Sequence, residues 1–167
     1  MRLLLQSFDI QERWEIAFEM NIRSLEQGDR AAWERLFDEY AAFYKTSIPS
    51  GGHVKVWDWI FDGDNPFWCA VAVDSQDEPY GFTQYQLMHD SLSASMVCYL
   101  SDLYVRPDQR EAGTGRALID HVLAFAHERG IKDVTWLTQE FNYRARQLYD
   151  SYQPKSDFIL YSIPIEP

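Results

Sequence analysis

Positive charge is scarce in this chain of 167 residues, in which 15 Lys and Arg stand against 26 Asp and Glu for a formal net charge of −11. Nucleic acids and anionic membrane surfaces are bound through basic faces, so this deficit argues against both as partners. The excess of acid favours a cationic substrate, although surface carboxylates also keep a protein soluble without any such role. We therefore expect no nucleic acid partner and no membrane partner.

Cysteine is scarce as well. Cys69 and Cys98 each lie inside an apolar run, which predicts small buried side chains and no disulfide framework. A reducing, cytoplasmic setting fits that pattern. The histidines lack both the paired spacing and the neighbouring cysteines of a metal site, so we expect no metal; they are His53, His89, His121 and His127.

Long hydrophobic runs are also missing. The apolar run that begins at Met1 is too short for a secretory signal or a membrane span. We assign residues 1–19 to an extension and residues 20–167 to one domain. The extension carries large apolar side chains, which predicts that it docks on the domain or on a partner in a homodimer: Phe8, Ile10, Trp14, Ile16 and Phe18.

Apolar periodicity predicts an α/β domain with a mixed, mostly antiparallel sheet. A helical stripe runs from Trp33 to Tyr44 with Asp29 as its cap, and a short helix follows at residues 54–61. Three antiparallel strands form a meander, and a helix joins the last of them to a strand that runs parallel to it. The predicted strands lie at residues 67–73, 80–88, 95–105, 133–138 and 158–163, and later helices follow Gly115 and Asn142. A family resemblance carried by residues 99–118 and 142–149 implies one further strand before these, at residues 20–25.

The most informative stretch joins the fourth strand to the helix after it. An apolar strand runs into Arg110-x-x-Gly113-x-Gly115, and an amphipathic helix begins at once. Glycine has no Cβ, so successive backbone N–H groups at a helix N-terminus can converge on a phosphate, with the helix dipole adding favourable potential. The loop therefore predicts an anion site, with a pyrophosphate as the expected ligand.

Two familiar phosphate loops do not fit this stretch. A dinucleotide fingerprint needs a third glycine where Leu118 stands, and a nucleotide P-loop needs a lysine that is missing here. The pattern resembles the acetyl-CoA loop of the GNAT superfamily of N-acetyltransferases, whose fold has splayed central strands. The resemblance implies that acetyl-CoA is the cosubstrate, with its pantetheine arm on Leu103, Tyr104 and Val105 and its pyrophosphate on Arg110, Glu111, Ala112, Gly113, Thr114, Gly115 and Arg116.

A second segment carries the same resemblance. Asn142 and Tyr149 lie two turns apart on a predicted helix. In the superfamily pattern an asparagine here contacts the pantetheine arm and a tyrosine points at the cofactor sulfur. Taken singly, Asn142 is more often a helix N-cap and Tyr149 a core aromatic. The occurrence of both motifs in the family's order favours the cofactor interpretation.

The resemblance implies a direct attack of an amine on the acetyl group, with Tyr149 as the general acid. Relatives that acetylate polyamines carry Leu-Glu-Asp on the fourth strand, whereas this chain has Leu100-Ser101-Asp102. Serine cannot act as a general base, so Asp102 is the candidate that deprotonates or holds the amine; a structural carboxylate that caps nearby N–H groups explains it equally well. Strand alternation predicts that Asp102 points to the face opposite Ser101.

Aromatic residues are frequent, and they have two interpretations. Some are placed to line an acceptor site and stabilise a cation over a ring face, although most such residues simply fill a core; the candidates are Trp57, Trp59, Trp68, Tyr85, Tyr99 and Tyr104.

The sequence thus predicts an acetyl-CoA-dependent N-acetyltransferase that acts on a small, cationic primary amine. Two alternatives remain open. One is a noncatalytic acyl-CoA-binding or sensing module, which Ser101 raises and Tyr149 argues against. The other is a protein N-acetyltransferase, which shares the mechanism and differs in the acceptor alone.

Overall fold

The computed structural model describes residues 21–110 and 113–165. The predicted extension at residues 1–19 lies outside these ranges, as do Glu111 and Ala112. Within them the chain forms two compact units, one ending at Trp136 and the other beginning at Leu137, and each is described by itself.

The first unit contains a five-stranded sheet in the order β1-β2-β3-β4-β5. Its strands are β1 (Ile22–Ser24), β2 (Phe67–Val73), β3 (Pro79–Asp90), β4 (Ser95–Val105) and β5 (Val134–Trp136). The first four strands are antiparallel neighbours, and β5 pairs in parallel with β4. The predicted mixed sheet and its parallel crossover are therefore confirmed.

Three helices flank this sheet, and a fourth lies in the second unit. They are α1 (Arg30–Phe43), α2 (Gly52–Phe61), α3 (Thr114–Glu128) and α4 (Tyr143–Asp150). None of the helices in the described ranges is long and apolar enough to cross a membrane. Asp29 stands at the N-cap position of α1, as predicted, but its carboxylate makes no capping bond there and accepts instead from the Glu26 N–H at 2.8 Å and from Arg23.

The core has two layers because each face of the sheet is covered by helices. On one face α1 and α2 bury a cluster with β2, β3 and β4: Trp33, Leu36, Phe37, Trp57, Val71, Phe82 and Tyr104. On the other face Leu118 of α3 packs against Ala72 and Val105. The apolar side chains that recur every 3.6 residues along α3 are buried, so this amphipathic helix lies with its apolar stripe against the sheet.

The predicted strand at residues 158–163 is wrong. Between residues 137 and 165 the structure has no strand, and Phe158 and Tyr161 are 95% and 86% exposed. A strand needs a partner backbone as well as β-favouring side chains, and among residues 137–165 α4 is the only regular structure. The apolar pattern alone was therefore insufficient evidence for a sixth strand.

Candidate active site

A β-bulge shapes the centre of β4. Gln84 of β3 is paired with Asp102, whereas the next residue, Tyr85, is paired with Leu100, so Ser101 is the additional residue of the bulge. Gln84 and Gln86 lie on one face of β3, and their side chains reach Asp102 and Ser101 respectively. The expectation that Ser101 and Asp102 point to opposite faces is therefore wrong, because the extra residue cancels one step of the strand alternation.

Asp102 lies on the α1 side of the sheet in a largely enclosed position. Its Oδ2 accepts a hydrogen bond of 2.7 Å from Nε2 of Gln84, and the Tyr40 hydroxyl of α1 donates to the same carboxylate. Burial raises the pKa of Asp102, and the two hydrogen bonds oppose that rise. The alternative role of a cap for backbone N–H groups finds no support in these contacts, since both donors are side chains.

The charge of Asp102 is not balanced by a basic side chain. Among the residues that the structure describes, its side-chain partners are Gln84 and Tyr40, both neutral, and no Lys or Arg contributes to its electrostatics. A buried carboxylate without a counter-ion is costly to keep ionised. The arrangement is therefore chemically suited to receive a cation or a proton.

The pairing of β4 with β5 ends just before this point. Their pairing covers Cys98–Val134, Tyr99–Thr135 and Leu100–Trp136, so residues 101–105 of β4 extend past it. Arg106 donates its N–H to the Tyr80 carbonyl, and alternation along an antiparallel pair then directs the backbone groups of Leu103 and Val105 away from β3. Of the three predicted pantetheine contacts, Leu103 and Val105 direct their backbone groups away from β3, and Tyr104 directs its backbone groups toward β3.

The predicted phosphate loop ends at the N-terminus of α3. Gly113 occupies the N-cap position with φ +87° and has no side chain to satisfy the first-turn N–H groups. Thr114 is buried, with its Oγ1 3.5 Å from the Tyr80 hydroxyl, and Gly115 follows in the first turn. These features fit the binding of an anion, because several backbone donors and the positive end of the helix dipole are presented together.

Two arginines were assigned to the same loop. Arg110 folds back onto β4, where its Nε donates to the Val105 carbonyl at 2.8 Å and its guanidinium lies 5.5 Å from the centre of the Tyr104 ring. Arg116 lies half-buried in the first turns of α3. Arg110 therefore joins the end of β4 to the loop, and its role toward phosphate stays a prediction.

We expect a Gly113→Val variant to bind CoA at least about tenfold more weakly than the unaltered protein, a loss of about 1.4 kcal/mol. The added side chain would block close approach to the first-turn N–H groups, and a β-branched residue is strained at positive φ. Calorimetric titration with CoA measures the effect.

Gly130→Val is the matched control for backbone strain. Gly130 lies just past the opposite end of α3, has φ +68°, and leaves open space for a Cβ. The two variants share the strain, so thermal stability will fall in both and CoA affinity in the first alone. Equal CoA affinity in a folded Gly113→Val protein would contradict the assignment of the loop.

The remaining predicted cofactor residues lie in the second unit. Asn142 is at the N-cap position of α4, but its side chain makes no capping bond; Nδ2 donates instead to Oγ1 of Thr138 at 3.2 Å. Tyr149 is half-buried two turns later, and the half-buried residues of this segment recur at helical spacing: Asn142, Ala145, Arg146, Leu148, Tyr149 and Tyr152. The structure thus places Asn142 and Tyr149 in the single stripe that the spacing predicted.

The aromatic candidates divide between the two faces of the sheet. Trp57 and Tyr104 are core residues on the α1 and α2 side, where Trp57 lies 5.3 Å from Trp33 between ring centres. Trp68 and Tyr85 contact Phe125 of α3, with ring centres 4.8 Å apart in each case, and line a cavity of about 460 Å³. Because Tyr85 follows Gln84 directly in β3, this cavity is on the face opposite Asp102. Trp57, Tyr85 and Tyr104 are buried, as the core interpretation expects, whereas Trp68 and Tyr99 are half-buried and Trp59 is 41% exposed.

Sequence reasoning missed the residues that surround Asp102. Gln84 and Gln86 interrupt an otherwise apolar strand, which was the available signal for a polar site on β3. Tyr40 and Trp33 were assigned to the apolar stripe of α1, and their polar atoms carry no signature in that periodicity.

Comparison with known proteins decides the family. The model of the Acetyltransferase (GNAT) family matches residues 33–152, which run from within α1 to just past the end of α4. The chain belongs to the GNAT family. It is 34% identical to the D-amino-acid N-acetyltransferase HPA3 of Saccharomyces cerevisiae over 141 residues, 84% of this chain and 88% of that protein. It is 32% identical to the thialysine N-epsilon-acetyltransferase of Bos taurus, over 80% of this chain and 82% of that protein.

Solved structures share the fold of this GNAT chain. A probable acetyltransferase superposes with a TM-score of 0.77 at 24% identity, covering 89% of this chain and 99% of its own. AAC(6')-Iy, in complex with the bisubstrate analog CoA-S-monomethyl-acetylneamine, gives 0.75 at 17% identity, covering 88% and 98%. The protein is an N-acetyltransferase of the GNAT family with acetyl-CoA as its cosubstrate.

Proposed function

We propose that this N-acetyltransferase acetylates a small, cationic primary amine, and that Asp102 recruits and deprotonates it. The observation that carries the proposal is the enclosed carboxylate of Asp102, which receives two neutral donors and no cationic side chain from the described residues. An ammonium group would supply the missing counter-charge. The formal net charge of −11 acts in the same direction by attracting cations to the surface.

Each proposed step uses a group of this chain. The first-turn N–H groups of α3 and the outward backbone of Leu103 and Val105 hold the cosubstrate, which supplies an activated acetyl thioester when bound. Asp102 accepts a proton from the ammonium, so that the neutral amine can attack the acetyl carbonyl. Tyr149 donates a proton to the departing thiolate, and Asn142 contacts the pantetheine arm.

Ser101 does not replace the glutamate found in polyamine-acetylating relatives. Because the bulge brings Ser101 and Asp102 to the same face, Asp102 is close to the position from which a residue at 101 would act. A carboxylate one position later can therefore serve the same chemistry with a shorter side chain. The departure from the family pattern is thus compatible with an active enzyme.

The acceptor is tested by incubating the protein with acetyl-CoA and a panel of amines while following release of the CoA thiol. The panel contains polyamines, D- and L-amino acids, thialysine, aminoglycosides and basic peptides. Putrescine and γ-aminobutyrate form a matched pair, because each has a primary amine on a four-carbon chain and they differ in the charge at the other end. We expect higher kcat/KM for putrescine and for the small cationic amines generally.

Other results would contradict the proposal. Acetylation confined to peptides would indicate a protein N-acetyltransferase, and preference for γ-aminobutyrate would show that the negative charge does not select the acceptor. CoA binding without turnover on any amine would indicate the noncatalytic acyl-CoA-binding module.

A further inference from the structure

We propose that Gln84, held in orientation by Trp33, is a positioning residue that keeps the Asp102 carboxylate ionised and aimed for the reaction. The inference rests on the proposed function, since it concerns how Asp102 is prepared to act as a base. Gln84 is 1% exposed and Trp33 is fully buried, so neither of these two side chains is a freely moving surface group.

The direction of each hydrogen bond follows from the chemistry of its partner. The indole Nε1–H of Trp33 is a donor only, and it lies 3.2 Å from Oε1 of Gln84. The amide of Gln84 is thereby fixed with its oxygen toward Trp33 and its NH₂ group toward Asp102. That NH₂ group reaches Oδ2 of Asp102 at 2.7 Å and requires an acceptor there. The chain from Trp33 to Asp102 therefore favours an unprotonated oxygen at Oδ2.

Tyr40 completes the same arrangement from α1. Its hydroxyl donates to Asp102, and burial raises the pKa of Tyr40, so the phenol keeps its proton throughout the neutral range. Asp102 thus accepts from two directions, from β3 and from α1. Two donors fix the orientation of a carboxylate that burial alone would leave protonated more readily.

Three further titratable side chains among the described residues interact with Asp102, and none of them gives up a proton at acidic pH. Cys69 of β2 and Tyr99 of β4 interact electrostatically with Asp102, and burial raises the pKa of both side chains. Tyr40 behaves likewise. These three groups therefore stay protonated across the acidic limb, and the Asp102→Asn variant decides whether that limb belongs to Asp102.

The test is a Gln84→Met variant, which keeps the length of the side chain and removes both hydrogen-bonding ends. Hydrogen bonds to the charged form lower the pKa of a carboxylic acid, so losing one is expected to raise the pKa of Asp102 further. The acidic limb of the pH dependence of kcat/KM should move to higher pH by the same amount, with activity recovering in alkali. A titration of carboxyl-labelled aspartate by NMR, without substrate, measures the same shift directly.

Two further variants keep the test decisive. Gln86→Met is the matched control, because Gln86 lies on the same face of β3 and its Nε2 is 3.4 Å from Ser101 rather than bonded to Asp102. It should leave the acidic limb in place. Trp33→Phe keeps a buried ring and removes the indole donor, so it should move the limb in the same direction as Gln84→Met but less far.

The outcomes separate this inference from the function on which it rests. If Asp102→Asn abolishes the acidic limb while Gln84→Met and Trp33→Phe leave it unmoved, the positioning role is wrong and the base assignment stands. If Asp102→Asn leaves the limb unchanged, the base assignment is wrong. The NMR titration then still decides whether Gln84 controls the ionisation of Asp102, and an unshifted Asp102 signal in Gln84→Met overturns the inference.

Discussion

Replacing Asp102 with asparagine is expected to lower kcat for a cationic amine by about 10²- to 10⁴-fold at neutral pH. The substitution preserves the shape of the side chain and leaves an oxygen to accept from Gln84, but it removes the basic group. If recruitment of the ammonium dominates instead, KM rises and kcat changes little. Steady-state kinetics with the preferred amine distinguish the two cases.

The role of Asp102 as a base also predicts the direction in which activity changes with pH. Because burial raises the pKa of Asp102 above its ordinary value, the basic form is present above that pKa and is lost as pH falls through it. Activity of the unaltered enzyme should fall along that acidic limb, and the limb should vanish in Asp102→Asn.

Asp74→Asn is the control for net charge. Asp74 is exposed in the turn between β2 and β3, where its Oδ1 accepts from the Gln76 and Glu78 N–H groups, a bond that asparagine can also make. The Asp74→Asn variant loses the same unit of negative charge as Asp102→Asn and should retain full activity. Unchanged kcat and KM in Asp102→Asn would show that proton removal proceeds without this carboxylate.

A Tyr149→Phe variant is expected to lose about 10²- to 10⁴-fold in the rate of acetyl transfer while binding CoA nearly as tightly as the unaltered protein. Phenylalanine keeps the half-buried ring in the stripe of α4 and removes the proton that the leaving thiolate needs. Single-turnover kinetics should be used, because product release can mask a change in the chemical step.

Tyr143→Phe is the matched control for Tyr149→Phe. Tyr143 is on the same helix but 69% exposed, so removal of its hydroxyl should leave the rate unchanged. An equal rate in Tyr149→Phe under single-turnover conditions would assign Tyr149 a packing role and leave the thiolate to be protonated by another donor.

Much of the fold was predictable because its signals are local. The apolar stripe of α1 and the bounds of β2 and β4 can be predicted from the spacing of side chains over a few residues. Backbone geometry alone decides which of those side chains share a face. The helix start at Gly113 was also predictable, since glycine readily adopts the positive φ found there and leaves the first turn of α3 without a side-chain cap. The predicted strand at 158–163 failed because pairing is not a local property.

The sequence alone determined that this chain is a GNAT acetyltransferase, because the family's motifs occupy short contiguous stretches, one of which is the predicted phosphate loop. Only the tertiary structure decided the surroundings of Asp102, on which its proposed role as a base rests. Its partner Gln84 is 18 residues away and Trp33 lies a further 51 residues from Gln84, so no pattern within a segment reports the contacts. The bulge at Ser101 also depends on how β3 pairs with β4, and it reversed the face assigned by alternation. Burial, hydrogen-bond direction and missing counter-charge arise only when distant residues pack together, and these properties make Asp102 the candidate base.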